Sequence, residues 1–159
     1  MSTCHFVQQL VPTPVGVLTL ISDTQGIVRI LWPNSSEKSN FLACSGQNLH
    51  LSQTIIALEK YFSRQSFSLP VFHTSGTDFQ KSVWKALQEI PYGTTQTYAE
   101  IASKIGKPRA IRAVATAIGR NPFCILIPCH RVIGTNGELR GFAGGLPAKQ
   151  WLLDFEKAR

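Results

Sequence analysis

Cys129 and His130 are adjacent in the stretch "ILIPCHRVIG", which spans residues 125–134. A cysteine thiol becomes a nucleophile when its pKa falls, and nearby positive charges lower that pKa. His130 and Arg131 follow the thiol directly and could supply such charges. Pro128 fixes its own φ angle and favours extended backbone in the residue before it, so the cysteine has a defined position. The stretch therefore makes Cys129 a candidate nucleophile.

Three interpretations of this Cys–His pair compete. The pair could be structural, with an inert thiol and a surface imidazole. It could belong to a cysteine hydrolase, although adjacent strand residues point to opposite faces, so that a bridging water would have to link the two side chains. It could also accept a group by nucleophilic transfer with no hydrolytic second step. The stretch alone leaves all three open.

The other cysteines, Cys4, Cys44 and Cys124, are irregularly spaced, and none forms a C-x-x-C pair. A disulfide framework is therefore not expected. Cys44 and Cys124 are predicted to be small, inert thiols. A metal site is the weaker alternative, because its candidate ligands lack metal-binding spacing; they are Cys4, His5, His50 and His73. The sequence thus predicts no metal.

Positive charge is concentrated in the second half of the chain. The formal net charge is +7, and residues 1–75 contain four basic and three acidic side chains, against twelve and six in residues 76–159. Between Tyr98 and Arg131 there are six basic residues and one acid, Glu100. A basic cluster of this kind favours a phosphate-bearing partner. A merely solvated basic face is the alternative.

The elements that must position these residues begin with a predicted β-meander over residues 5–32. Its three β-rich runs are "HFVQQLV", "GVLTLIS" and "GIVRILW", and they are separated by turn residues. Apolar residues at helical spacing predict an amphipathic helix over 51–65, packed on that sheet. Residues 73–77 read as a linker.

The second half begins with a predicted helix over 77–90. Thr97 and Glu100 form a capping-box pattern that opens a short helix ending near Ile105. A glycine-containing turn then leads to a basic helix over 109–120. Two short helices joined in this way predict a helix-turn-helix.

A strand "FCILI" is predicted over 123–127, followed by a turn at 135–138 and a final helix over 147–158. The predicted fold class is α+β. A small antiparallel sheet with one helix forms an N-terminal domain, residues 1–75. A mostly helical, winged-helix-like domain with the candidate cysteine forms residues 76–159.

"PCHRV", with "NP" before it and "GGLPAKQWLLDFE" after it, resembles the O6-alkylguanine-DNA alkyltransferases. "TPVGVLTL" resembles their N-terminal domain and "FQKSVWKALQEIPYGTTQTYAEIA" the start of their C-terminal domain, so the resemblance covers nearly the whole chain. It implies a DNA repair protein that moves the alkyl group of a flipped-out O6-alkylguanine, and possibly of O4-alkylthymine, to its own cysteine. The transfer would be irreversible and would occur once per molecule.

The resemblance also implies a role for individual residues. Cys129 would accept the alkyl group, and His130 would take its proton through a water. Glu156 would orient and polarise that histidine. Asn121 would be the hinge between the DNA-binding helices and the active site.

On the DNA side, the resemblance implies that Arg112 enters the duplex and fills the gap left by the extruded base. Tyr98 would lie beside the phosphate of the flipped nucleotide, while Arg109 and Lys107 would contact phosphates from outside. The implied wall of the base pocket consists of Val132, Phe142, Ala143 and Gly144.

Phe142 departs from the pattern, because many members of the family have a tyrosine there whose hydroxyl helps to protonate the leaving guanine. Ala143 likewise lacks a hydroxyl that some members have. Backbone N–H groups or water would have to supply that proton here.

No cofactor is expected, because the sequence has no nucleotide, flavin or methyl-donor motif. The expected partner is double-stranded DNA that contains O6-alkylguanine, bound by a monomer. The absence of a signal peptide or a membrane-spanning run predicts a cytoplasmic protein. Two alternatives without catalysis are a damaged-DNA reader and a helix-turn-helix regulator, and neither explains "PCHRV" together with Glu156.

Overall fold

The computed structural model describes residues 4–157. The chain divides into two compact units, one ending at Ser75 and the other beginning at Gly76. Each is described by itself below. Within residues 4–157, no helix is both long enough and apolar enough to cross a membrane.

The N-terminal unit is built on a four-stranded sheet with the order β3-β2-β1-β4. Its strands are β1 (Phe6–Thr13), β2 (Gly16–Ser22), β3 (Ile27–Leu31) and β4 (Ala43–Ser45). The first three form the predicted antiparallel meander, whose first turn is made possible by the positive φ angle of Gly16 (+112°). The fourth strand pairs in parallel with β1, which the sequence did not indicate.

Helix α1 (Leu49–Phe62) covers this sheet. The Asn48 side chain accepts a hydrogen bond from the backbone N–H of Leu51 and so caps the first turn. The buried face of α1 includes Leu58 and Tyr61, and β2, which α1 contacts, contributes the fully buried Leu20. Burial of each such side chain contributes about 1.5–3 kcal/mol to folding, which makes the shared core the main source of stability in this unit.

Cys44 corrects one prediction, because it is exposed and forms a disulfide with Cys4. The parallel pairing of β4 with β1 brings the chain just before β1 alongside Cys44, with 5.9 Å between the two cysteine Cα atoms. The irregular spacing of the cysteines could not show this non-local pairing. Because its sulfur is in the disulfide, Cys4 is not available as a metal ligand. No group of three metal-binding side chains occurs within residues 4–157.

The C-terminal unit is mostly helical, and its helices are α2 (Asp78–Gln88), α3 (Tyr98–Lys104), α4 (Ile111–Gly119) and α5 (Leu146–Lys157). Capping boxes begin both α2, at Thr77, and α3, at Thr97. The indole N–H of Trp84 in α2 donates to the carbonyl of Ala117 in α4 at 2.8 Å. The predicted α+β class and helix-turn-helix are thereby confirmed, with α3 and α4 as its two helices.

Helix α4 begins two residues later than the sequence predicts. Residues 107–110 form a turn closed by a hydrogen bond from the N–H of Ala110 to the carbonyl of Lys107, at 2.9 Å. Arg109 therefore precedes the helix, so Arg109 and Arg112 do not lie one helical turn apart on the same helix. Both side chains are nevertheless exposed.

The predicted strand over 123–127 is wrong. These residues form a tight turn in which Ile125 has a φ angle of +72°, a left-handed conformation that costs a β-branched residue about 1–3 kcal/mol. All five side chains are buried, so their apolar character reflects burial and not extended backbone. The chain then makes a 3-10 turn, Cys129–Arg131, and a two-residue strand β6 (Val132–Ile133), which pairs in parallel with β5 (Gln96–Thr97).

Candidate active site

Cys129 lies on the 3-10 turn directly after Pro128, and only 7% of it is exposed. His130 is fully buried and Arg131 nearly so. The turn breaks the alternation of a strand, so the objection that adjacent residues face opposite ways does not apply here. A thiol, an imidazole and a guanidinium are thus brought into one buried turn.

Asn121 braces the buried turn that precedes the cysteine. Its amide Nδ2 donates to the carbonyl of Ile127 at 2.8 Å, and its Oδ1 accepts from the N–H of Phe123 at 3.0 Å. The same side chain hydrogen-bonds to the thiol of Cys129. The side chain predicted to be a hinge therefore fixes the path of the chain between α4 and the thiol.

Glu156, on the inner face of α5, is the centre of a buried hydrogen-bonded network. Its Oε1 lies 2.7 Å from Nε2 of His130 and accepts from Nη2 of Arg131 at 2.9 Å, while its Oε2 accepts from Nε of Arg131 at 2.9 Å. The remaining donor of this guanidinium, Nη1, bonds the carbonyl of Ile90. Such a two-bond Arg–carboxylate pair fixes both position and orientation.

The network keeps Glu156 ionised. Burial pushes the pKa of this carboxyl up, but the hydrogen bonds from His130 and Arg131, together with the positive charge of Arg131, outweigh burial and bring the pKa to about 2. The carboxylate can then only accept hydrogen bonds. Nε2 of His130 must therefore carry a hydrogen and donate it to Glu156.

His130 is neutral near pH 7, because burial lowers its pKa more than Glu156 raises it. A neutral imidazole that donates from Nε2 has its lone pair on Nδ1. Nδ1 is therefore the atom of this network that can receive a proton. The carboxylate beside the ring would stabilise the imidazolium that results.

The thiol of Cys129 is not ionised by its surroundings in the free protein. Burial raises its pKa, and this effect exceeds the lowering by the Asn121 hydrogen bond, the charge of Lys149 and the neighbouring backbone N–H groups. A base is thus needed when the thiol reacts. Cys124 is also buried, and burial raises its pKa well above the ordinary value, in keeping with an inert thiol.

A cavity of about 680 Å³ opens between helices α3 and α4 and the loop 134–143. It brings together Tyr98 and Arg112 from the helices with Phe142 and Ala143 from the loop. The other eight candidate residues lie outside its lining, and four of these, Asn121, Cys129, His130 and Glu156, belong to the buried network described above. Lys107 and Arg109 are exposed before α4, Val132 is fully buried in the β5–β6 pair, and Gly144 follows the lining segment.

Two family models match the chain in succession. The 6-O-methylguanine DNA methyltransferase ribonuclease-like domain matches residues 6–72, and the DNA binding domain of the same methyltransferase matches residues 78–158. The chain belongs to the 6-O-methylguanine DNA methyltransferase family.

Relatives and solved structures agree with this membership. A methylated-DNA–protein-cysteine methyltransferase of Methanosarcina barkeri is 46% identical over 93% of this chain and 95% of its own length. The crystal structure of the O6-methylguanine methyltransferase of Mycobacterium tuberculosis has a TM-score of 0.87 at 39% identity, covering 97% of this chain and 94% of that one. A structure of Mycobacterium tuberculosis OGT in complex with DNA has a TM-score of 0.83 at the same identity, covering 97% and 93%.

Lys149 is a functional candidate in this family member that the sequence analysis missed. It is 1% exposed, and its Nζ donates to the carbonyl of Arg140 at 3.2 Å and lies 5.9 Å from the centre of the Tyr98 ring. Burial lowers its pKa, whereas a negative charge on Cys129 raises it. The signal was present, because Lys149 shares the buried face of α5 with Leu152, Leu153 and Glu156.

Arg131 is the second omission. The sequence analysis treated it as a positive charge beside the thiol, but its guanidinium points to Glu156 and Ile90 and also lies over the ring of Tyr92, 5.5 Å from its centre. Its partner is 25 residues away in the chain. Only the return of α5 to the cysteine turn brings the two together.

Proposed function

We propose that this protein repairs alkylated DNA by transferring the alkyl group of O6-alkylguanine to Cys129. The observation that supports this most is the buried thiol next to a neutral imidazole, whose donor nitrogen is fixed by the ionised, doubly bonded Glu156. The relatives' name, methylated-DNA–protein-cysteine methyltransferase, gives the reaction class. A merely structural cysteine would not require this network.

In the proposed reaction, the Cys129 thiol proton passes through a water to Nδ1 of His130. The sulfur forms a bond to the alkyl carbon while the bond from that carbon to O6 of guanine breaks. The electron pair of the broken bond stays with the guanine, which takes up a proton from water. Glu156 stabilises the imidazolium formed on His130.

The product is a thioether, which has no acyl carbon that water could attack. Cys129 is therefore not regenerated, and each molecule reacts once. This distinguishes the proposed transfer from a cysteine hydrolase, in which a second step releases the enzyme. No cofactor takes part, since the substrate itself supplies the alkyl group.

The target base must leave the duplex before it can reach a buried thiol. We assign Arg112, on the exposed side of α4 and at the cavity, to the gap that the base leaves in the stack. Tyr98 would face the phosphate of the flipped nucleotide, and Lys107 and Arg109 would contact phosphates outside the cavity. Phe142 and Ala143 would border the base directly, with Val132 and Gly144 behind them, and Phe142 can stack but cannot donate a proton.

Mass spectrometry of peptides after reaction with duplex DNA containing O6-methylguanine tests the proposal. One methyl group should appear on the peptide that contains Cys129, and Cys129→Ser should abolish it while the protein still binds DNA. Binding without an adduct in the unmodified protein would instead identify a damaged-DNA reader or a regulator. Methylation of another cysteine in the serine variant would show that the acceptor is misassigned.

Action on DNA as a monomer in the cytoplasm is part of this proposal. Substrate range, including O4-alkylthymine, is measured by the same adduct assay with the corresponding oligonucleotides.

A further inference from the structure

Arg140 and Arg112 are the two charged residues among those that line the cavity between α3, α4 and the loop 134–143. They come from different elements of its wall, Arg112 from α4 and Arg140 from the loop. The proposed function uses only the first. A second guanidinium facing the same space therefore has no role in the reaction described so far.

Two hydrogen bonds hold the backbone of the loop at and near Arg140. The carbonyl of Arg140 accepts a hydrogen bond from the buried Nζ of Lys149 at 3.2 Å. Across the turn, Gly134 donates to the carbonyl of Glu138 at 2.8 Å. A Cβ atom at Gly134 would lie 3.2 Å from Nε of Arg140, so the absence of a side chain at Gly134 makes room for the arginine.

The guanidinium itself is available to a ligand. The side chain is 64% exposed, and its ion pair with Glu138 is long, at 3.6 Å, and equally exposed. Exposed pairs of this kind contribute little to stability and exchange readily for a better partner. An exposed guanidinium that lines the cavity can present its N–H donors to a charged, hydrated group.

Tyr98 lies close to Arg140 in this space. Burial is the main cause that raises the pKa of the Tyr98 phenol, and the positive charge of Arg140 opposes the rise. Tyr98 is also the residue assigned to the phosphate of the flipped nucleotide. The phenol and the guanidinium could therefore contact the same anionic group.

We propose that Arg140 binds the backbone phosphate of the extruded nucleotide, from the loop side of the cavity. A guanidinium can donate two parallel hydrogen bonds to phosphate oxygens, which gives both charge and orientation. This phosphate approaches the cavity only when the base has left the stack. The inference rests on the proposed function and adds a contact that recognises the flipped state.

Binding by proteins in a Cys129→Ser background, which cannot react, tests the contact. We compare the affinity for a duplex containing O6-methylguanine with that for the same duplex containing guanine. Arg140→Gln should lower the ratio of the two affinities about tenfold, within the range of a charge-assisted hydrogen bond. Arg109→Gln is the matched control and should weaken binding to both duplexes equally. Glu138→Gln, which removes the competing carboxylate, should leave the ratio unchanged or raise it.

Small substrates provide a second measurement in proteins that retain Cys129. Arg140→Gln should methylate as fast as the unmodified protein with the free base and with the nucleoside of O6-methylguanine, since neither has a phosphate. It should lose any rate advantage that the nucleoside monophosphate has over the nucleoside.

An unchanged affinity ratio, or an equal loss on both duplexes, would overturn the inference. So would an equal slowing with the free base, because Arg140 would then serve the fold or the chemistry. Failure of the proposed function has a separate signature, since the unmodified protein itself would then take up no methyl group from any substrate. The inference would fall with it.

Discussion

The carboxylate of Glu156 binds His130, Arg131 and the backbone N–H of Gly93, and this arrangement links stability to pH. Its pKa falls from an ordinary value of 4.5 to about 2 in the folded protein. A carboxyl with a depressed pKa stabilises the folded state above its unfolded pKa, and this contribution is lost as the pH falls. A difference of this size corresponds to about 3 kcal/mol.

The first prediction follows from that linkage. Between pH 4.5 and pH 2 the free energy of unfolding should fall by about 3 kcal/mol more in the unmodified protein than in Glu156→Gln. The variant should also be less stable at pH 7, because Arg131 is left buried without its counterion. Urea denaturation across this pH range measures both. Parallel curves for the two proteins would argue against an ionised Glu156.

The proton relay gives the second prediction. Glu156→Gln and His130→Gln should raise the apparent pKa of Cys129 in the reaction and slow alkylation, since the thiol loses the path by which its proton leaves. Affinity for DNA should change little, because both residues are buried away from the surface. Stopped-flow rates across pH, with binding measured in parallel, test this. Rate profiles identical to those of the unmodified protein would remove His130 and Glu156 from the mechanism.

Lys149 gives the third prediction, because its positive charge favours the thiolate of Cys129. Lys149→Met keeps much of the buried aliphatic volume but removes the charge. Alkylation should slow about tenfold or more at pH 7 and recover partly at higher pH, where the thiol ionises without help. Lys60→Met, at an exposed lysine of α1 that has no assigned contact with DNA, is the control. A loss that is the same at every pH would indicate a purely structural Lys149.

The fourth prediction concerns helix α4, whose residue Arg112 should assist the opening of the duplex and not the alkyl transfer itself. Unstacking a base costs a few kcal/mol, and Arg112 is the residue assigned to fill the gap. Arg112→Ala should slow repair in duplex DNA at least tenfold more than reaction with free O6-methylguanine base, which needs no extrusion. Arg109→Ala should reduce affinity and its salt dependence without that selective loss. If Arg112→Ala slowed the reaction equally on both substrates, Arg112 would not be the residue that fills the gap in the base stack.

The helices were predictable and the buried turn was not. Thr77 and Thr97 predict the starts of α2 and α3, because a capping box depends on residues only three positions apart. The segment 123–127 has strand-like composition, but its shape is set by Asn121, which bonds both of its ends. Ile125 adopts a conformation that no propensity for isoleucine predicts.

The candidate site residues also differ in whether local sequence could identify them. Cys129, His130 and Glu156 were found through family motifs, whereas Lys149 and Arg131 act through partners that the fold alone brings near. The disulfide between Cys4 and Cys44 likewise depends on a parallel strand pairing over 40 residues. Contacts between distant segments are the information that local sequence patterns lack.

At the scale of the whole molecule, the proposed chemistry fixes a stoichiometry, which is the fifth prediction. With excess methylated duplex, uptake should reach a plateau at one methyl group per protein molecule and should not resume on addition of fresh DNA. Titration with isotopically labelled DNA measures the plateau. Continued uptake beyond one equivalent would require a step that clears Cys129.

The position of Glu156 in the last turn of α5 also has a consequence for biosynthesis. Translation runs from the N-terminus, so the ribosome makes Cys129 before the helix that carries Glu156. On a nascent chain, His130 has no carboxylate to hold its tautomer, and Arg131 has no counterion. The proton acceptor of this single-use thiol, Nδ1 of His130, is therefore held in its working tautomer only once α5 has been translated and has folded back onto the cysteine turn.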